Sequence, residues 1–280
     1  MGEEQVSFVS DGLTLYGVFH RAEVDSTLRR SSGQARPAVV FCHPFAEERK
    51  CAHRIMVECA RALCTQGIDV LRFDLRGCGD SEGEFGQATL SGWLNDLDVA
   101  LQWLNQTHHA KAVGLLGLRL GAALVAQCAE QHPEVRWLGL WEPITDGAQY
   151  WRLSLRRQQI RQAITETVGQ ASSLPGRLET CPTNYDLDGY EVSDAMRQEV
   201  EQLSLLKQSR SFADRVWIAQ ISASPRASRN HLALQQAYQA AGGQCELEAV
   251  MGEPFWSLLG LARAPELIAR TVGATRQLAP

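Results

Sequence analysis

Residues Ala112–Gln131 read AVGLLGLRLGAALVAQCAEQ. The first part, Ala112–Leu116, is a short apolar run of the kind buried on both faces of a parallel sheet. The last part, Leu120–Gln131, spaces Ala122, Ala123, Ala126 and Ala129 as a helix of small residues, which lets that helix approach a sheet closely. Gly117-Leu118-Arg119-Leu120-Gly121 joins the two. Such a Gly-x-x-x-Gly frame brings strand and helix together around one strained residue whose side chain projects into a site. Strand, sharp turn and helix in this order predict an α/β fold.

The same alternation extends in both directions. Ala38–His43, Asp69–Phe73 and Arg136–Trp141 are further buried-strand runs, separated by helical patterns over Arg54–Gln66 and Thr89–Asn105. Upstream, Gln5–Ser10 and Leu13–His20 alternate around Asp11-Gly12, a turn pair that predicts an antiparallel hairpin. Glu23–Arg36 is polar and without apolar period, so it reads as a loop. Beyond Ile144 the alternation breaks. RLSLRRQQIRQAITETV and SDAMRQEVEQLSLLK look helical, LPGRLETCPTNYDLDGY between them does not, and residues 144–212 read as a helical cap or lid inserted into the core. The core resumes with strands Val216–Ser222 and Cys245–Val250 and helices Ala227–Ala241 and Leu258–Gly273. The expectation is a mostly parallel, doubly wound sheet built from residues 1–143 and 213–280.

Composition bounds the function. The 280 residues are 45% hydrophobic and 21% charged, which excludes a disordered or collagen-like chain. Twenty-seven basic and 32 acidic residues give a net charge of -5, and no run of five like charges marks a nucleic-acid-binding stripe. Eight cysteines occur without a Cys-x-x-Cys pair or zinc-like spacing; they read as small buried thiols of a reducing compartment, and neither metal nor cofactor is expected. MGEEQVSF is not a signal peptide, no stretch reaches the 18 apolar residues or so of a membrane span, and a cytoplasmic protein is expected.

Three turns collect at the carboxyl ends of the strands, where open α/β sheets bind ligands. They are His43-Pro44-Phe45-Ala46-Glu47-Glu48, Asp74-Leu75-Arg76-Gly77-Cys78-Gly79-Asp80-Ser81-Glu82-Gly83, and the Gly117–Gly121 elbow. Their order resembles the α/β-hydrolase superfamily, especially its serine aminopeptidase and monoglyceride-lipase-like branch, over nearly the whole chain. In that superfamily the middle residue of the elbow is a serine that attacks a carbonyl after a histidine takes its proton. Here it is Arg119, a permanent cation with donors and no lone pair, which excludes acyl-enzyme chemistry at this position. The acid expected after VWIAQIS is absent from Ala223-Ser224-Pro225-Arg226, and the histidine expected after CELEAV is absent from Met251-Gly252-Glu253-Pro254-Phe255-Trp256. The three turns, together with Trp141-Glu142-Pro143-Ile144, Gly189–Ser193 and Pro254-Phe255-Trp256, resemble more narrowly the second type of exosortase A system-associated hydrolase, although His43 stands where that pattern has proline. The resemblance implies a bacterial protein linked to exosortase and exopolysaccharide systems, without fixing a reaction.

Two readings of Arg119 stand at this point. It is an anion receptor at a helix start, backed by the Leu120 and Phe45 amides of an oxyanion-hole-like turn, or it is neutralised by Glu47, Glu48 or Glu142. His43 reads as the histidine that holds the oxyanion turn, with a general base as the alternative. Asp74, Asp80 and Ser81 read as loop-holding groups, Trp256 and Phe255 as lining or plug, and the arginines of Trp151–Arg161 as a solvated face. The functional expectation is a pseudohydrolase or accessory protein that binds a small anionic or acyl ligand or an exosortase-system protein. The competing expectation is an esterase or thioesterase of unconventional mechanism, with water positioned by Glu47, Glu48 or His43.

Overall fold

Asp11 and Gly12, at φ 48° and 81°, close a two-residue turn between β1 (Gly2–Ser10) and β2 (Leu13–Arg21), which pair antiparallel from Gly2↔Arg21 to Ser10↔Leu13. The computed structural model describes residues 2–22, 36–110, 112–168, 184–207, 214–258, 260 and 262–278. The loop expected over Glu23–Arg36 lies, apart from Arg36, outside them, as does Cys181.

The sheet continues through β3 (Pro37–Cys42), β4 (Asp69–Phe73), β5 (Ala112–Leu118) and β6 (Val135–Trp141). The chain then leaves it for a small hairpin, β7 (Asn184–Leu187) and β8 (Tyr190–Ser193), and returns as β9 (Arg215–Ser222) and β10 (Gln244–Met251). The main sheet has eight strands in the order β1-β2-β4-β3-β5-β6-β9-β10. β2 runs antiparallel to β4, and all later pairings are parallel. The order reverses beside β3 and β5, which puts the turns after these two strands side by side at the switch point of a doubly wound α/β sheet.

Helices cover both faces. α1 (Glu47–Cys64) packs Ile55, Met56, Cys59 and Leu63 on one face; α2 (Leu90–His108) and α3 (Leu120–Ala129) bury Trp93, Leu97, Leu101 and nearly all of α3 on the other. α1 begins at Glu47, seven residues before the expected start. Its buried stripe Glu48, Ala52, Ile55, Cys59 keeps helical spacing through a charged first turn that masks it in the sequence.

Between β6 and β9 lie α4 (Gly147–Val168), the β7–β8 hairpin and α5 (Asp194–Gln202). The insertion read as a helical cap also carries a hairpin, in part of the stretch that did not look helical. Asp188 and Gly189 take positive φ, 56° and 85°, and turn Asn184–Leu187 back on Tyr190–Ser193, because an Asp-Gly pair tolerates the left-handed backbone that a tight hairpin needs. Leu187, Val192, Met196 and Val200 are buried in the same cluster as the core residues of α2 and α3. After β9 come α6 (Arg229–Ala240) and, after β10, α7 (Pro265–Thr275). α7 starts at Pro265 and not at Leu258, since proline suits the first helical position and Phe255–Ser257 forms its own 3₁₀ turn.

Candidate functional site

Arg119 sits between β5 and α3 at φ 58°, ψ -116°, a backbone conformation costing a non-glycine residue on the order of 1–3 kcal/mol. The flanking glycines make the turn possible. A Cβ on Gly121 would stand 2.6 Å from the Cys42 carbonyl and nearer still to that of His43, and one on Gly117 would overlap the backbone of Gly121 and Ala122. The Arg119 amide donates to the Trp141 carbonyl at 2.9 Å, and its own carbonyl accepts from Ala122 at 3.1 Å. Ala46 (φ 51°) and Glu142 (φ 42°) share the left-handed region. Backbone strain therefore gathers at the ends of β3, β5 and β6.

The Arg119 side chain points toward the first turn of α1, where its Nε lies 3.5 Å from Oε1 of Glu48. A second guanidinium, Arg157 of α4, approaches the same oxygen at 3.7 Å. Both side chains of the first pair are largely buried, at 15% and 10% exposure. Tyr150 and Trp256 flank the guanidinium, with ring centroids 5.5 and 5.1 Å from its carbon, as favourable cation–π geometry requires. Burial raises the Glu48 carboxyl above its ordinary range even though Arg119 and Arg157 pull it down. The distances are ion-pair distances, beyond good hydrogen bonding, and neither Glu48 oxygen meets a donor in hydrogen-bond geometry among the described residues.

The other two acids go elsewhere. Glu47 pairs with Lys50 at 3.0 Å, and Glu142 accepts the Ile221 amide at 2.6 Å, which pins β6 to β9. Glu48 faces the elbow because it lies on the buried stripe of α1, one residue and about 100° around the helix from Glu47.

The turn after β3 is held from below. His43 Nδ1 donates to the Pro44 carbonyl at 2.9 Å, and its Nε2 accepts the Leu75 amide at 3.3 Å. With both nitrogens engaged and the ring's pKa pushed down to about 4, chiefly by burial and then by Arg49, His43 has no lone pair to offer a substrate. Phe45 is anchored against Phe85 and Trp93. The Phe45 and Leu120 amides meet no acceptor among the described residues. Cys42 is fully buried and its thiol is pushed far up.

The second turn is held by its own polar groups. Asp74 pairs with Arg49 at 2.5 Å and accepts the Asp80 amide, while Ser81 donates to the Asp74 carbonyl. Arg76 closes on fully buried Asp96, with Nη2 at 2.6 Å and Nε at 3.0 Å from Oδ1.

At the two remaining strand ends no histidine–carboxylate pair stands among the described residues. After β9, the Ser222 hydroxyl donates to the Ser224 carbonyl and accepts the Ser224 amide. After β10, Phe255 and Trp256 pack edge to face at 5.3 Å, and Trp256 covers the elbow arginine. A cavity of about 620 Å³ opens beside Arg119, bounded by Glu142, Tyr150, Arg156, Arg157 and His231. A neighbouring one of about 430 Å³ is lined by Phe45, Glu48, Tyr150, Arg157 and Trp256. His231 of α6 donates from Nδ1 to Gln220 Oε1 at 3.0 Å, and burial lowers its pKa.

Sequence reading passed over Tyr150, took Arg157 only as part of a solvated face, and passed over His231. The signal for the first two was the spacing Tyr150, Ser154, Arg157, one face of α4, with Tyr150 and Ser154 buried. The expected solvated face of arginines is thus corrected at Arg157, which turns to the carboxylate of Glu48, while Arg152 stays exposed. His231 carried no signal, since only the fold brings α6 to the elbow.

Comparison with known proteins agrees with this geometry. Over 163 residues the chain is 31% identical to an uncharacterised protein of Mycobacterium tuberculosis, covering 56% of this chain and 52% of that one. The chain spans about half the length of the curated relatives it matches. Its fold superposes on Est1E of Butyrivibrio proteoclasticus, solved with ferulic acid, with a TM-score of 0.67 at 16% identity, over 97% of this chain and 98% of that one. It also superposes on the esterase domain of a Rhodothermus marinus protein, with a TM-score of 0.61 at 21% identity, over 99% and 96%. These likenesses establish the α/β-hydrolase fold. The family model of the serine aminopeptidases, S33, matches residues 33–212, which takes in all three turns, the elbow among them, and residues 144–212, and the chain belongs to that family.

Proposed function

We propose that this chain is a pseudohydrolase whose elbow binds a small anion, a carboxylate or phosphate carried on an acyl or other apolar body. The observation that carries the reading is the charge count at the elbow. Two guanidiniums, Arg119 and Arg157, share the single carboxylate of Glu48. One positive charge is left beside the Phe45 and Leu120 amides and the apolar walls of Tyr150 and Trp256. An anion there gains charge-assisted hydrogen bonds without needing a nucleophile. On its resemblance to exosortase A system-associated hydrolases, we read the protein as a cytoplasmic accessory of exosortase-linked polysaccharide or protein processing. Gene deletion in a host with such a system, complemented by wild type and by Arg119→Met, tests that link.

The ligand reading is tested by melting curves with phosphate, sulfate and short acyl carboxylates. The expected result is anion-dependent stabilisation of the wild type, about 2.7 kcal/mol at a hundredfold excess over Kd, and none in Arg119→Met. No shift in the wild type overturns the reading.

One observation favours a second reading, hydrolysis by an unconventional route: Glu48 is a buried carboxylate with a raised pKa at a cavity wall, a setting typical of general acids and bases. Ester or thioester turnover abolished by Glu48→Gln would establish it. Absence of turnover leaves the pseudohydrolase.

A further inference from the structure

On the side of the fold formed by α2 and α3, Asp98, Cys128 and His132 bring one carboxylate oxygen, one thiol sulfur and one imidazole nitrogen within 4.8 Å of one another. We propose that these three side chains form a zinc site, with water as the fourth ligand, that clips the carboxyl end of α3 to α2. The sequence holds this cluster as Cys-x-x-x-His, with the third donor 30 residues upstream of Cys128, a spacing not recognisable before folding.

Several independent features fit a borderline metal ion. Thiolate, imidazole and carboxylate is a donor set that selects Zn²⁺ over the oxygen-seeking Mg²⁺ and Ca²⁺. His132 Nε2 and Cys128 Sγ both converge on Asp98 Oδ1, at 2.9 and 3.5 Å. A tetrahedral ion with zinc's bond lengths holds its donors roughly 3.3–3.7 Å apart. The adjustment needed is small, and it falls on Asp98, whose side chain is 32% exposed. The outward nitrogen of the ring is held as well. Nδ1 lies 2.8 Å from Glu134 Oε1, the carboxylate–histidine arrangement that fixes the tautomer and raises the basicity of a metal-bound imidazole. Cys128 closes the site from the inside at 2% exposure, in the last turn of α3, where the negative end of the helix dipole favours a cation.

Without metal, the His132 ring lies between the carboxylates of Asp98 and Glu134. Burial opposes its charge, but Glu134 and Asp98 outweigh burial, and it titrates above the ordinary histidine range. Binding replaces the Nε2 proton of His132 and the thiol proton of Cys128. Zn²⁺ with one thiolate, one carboxylate and a neutral imidazole is electrically neutral, with up to two protons released to solvent. Affinity therefore falls as pH is lowered.

The test is titration of the full chain, kept reduced and freed of metal, with Co²⁺ as a spectroscopic substitute, followed by Zn²⁺. One equivalent of Co²⁺ should produce the visible bands of a four-coordinate ion together with a thiolate charge-transfer band, and Zn²⁺ should remove both. Cys128→Ser should abolish the charge-transfer band. His132→Gln, a change close to the surface, should weaken binding at least tenfold, and Glu134→Gln by ten- to a hundredfold. No spectral change at one equivalent overturns the proposal. So does a band that persists in both Cys128→Ser and His132→Gln, because it then belongs to other cysteines. Should Cys128→Ser not fold, the His132→Gln and Glu134→Gln titrations decide alone, and unchanged affinity in both overturns the site.

Discussion

Nε of Arg119 and Oε1 of Glu48 stand 3.5 Å apart, the first at the strained end of a strand and the second on the buried stripe of a helix 71 residues earlier. At the position where its family presents a nucleophile, the chain presents one half of an ion pair. Breaking a buried pair by removing one partner leaves an uncompensated charge and costs about 3–5 kcal/mol. Arg157 remains to compensate Glu48, so Arg119→Met should lose less than that, below about 3 kcal/mol. The double variant Arg119→Met/Glu48→Gln should lose less than the sum of the single losses. Urea denaturation of all four proteins measures the coupling; additive losses would show that the pair contributes nothing.

Fluorophosphonate reagents label serines activated by a base, and among the described residues no histidine–carboxylate pair stands at the ends of β9 and β10. The wild type should not be labelled. Arg119→Ser alone should not become an esterase, because restoring the nucleophile leaves histidine and acid absent. Mass spectrometry and p-nitrophenyl acetate turnover check both; a stoichiometric adduct on any serine would reveal an unrecognised nucleophile.

His43 and His20 both have folded pKa values pushed down to about 4, in each case first by burial. A histidine depressed in the folded state binds its proton more readily when unfolded. The stability it contributes is full above pH 6.5 and drains away as pH falls toward 4, by about 1.4 kcal/mol per pH unit for each group. Stability should therefore fall through this window, and His43→Gln should flatten the fall. A wild-type profile flat from pH 6.5 to 4 would contradict the buried neutral rings.

Glu48 acts in the opposite direction. Its carboxyl is raised by burial, so the unfolded chain ionises first, and folding loses stability as pH rises above the ordinary glutamate range. Glu48→Gln should remove that component. Melting temperatures of both proteins between pH 4 and 7 should diverge if Glu48 titrates as described, and run parallel if it does not.

Gly121→Ala places a methyl group against the carbonyls of His43 and Cys42, backbone atoms that cannot step aside as a side chain can. The expected loss is about 1–3 kcal/mol or more. Gly273→Ala, in α7 with open space around it, should be neutral or stabilising by comparison, a difference that differential scanning calorimetry resolves.

Much of this was written in local sequence. Strands β3, β4, β5 and β6 announce themselves because a strand buried on both faces is apolar over most of its length, and the elbow because only glycines tolerate the approach of α3 to β3. Arg119 in place of a serine could be read at its position for the same reason: the residue of an elbow stands at a known strand end. The β7–β8 hairpin was equally local, in Asp188-Gly189, and was hidden by the helical periods on either side.

Which acid meets Arg119 was not local. Glu47 and Glu48 are neighbours in the chain and identical in chemistry, and only the packing of α1 on the sheet turns one to Lys50 and the other to the elbow. Arg157 and Tyr150 reach the same point because the insertion folds back over the core. Asp98 meets Cys128 and His132 because α2 and α3 lie side by side. Sequence periodicity determines which face of an element is buried; what that face meets is set by long-range packing, since the contact is between side chains whose separation in the chain carries no energetic signal until the fold has closed it.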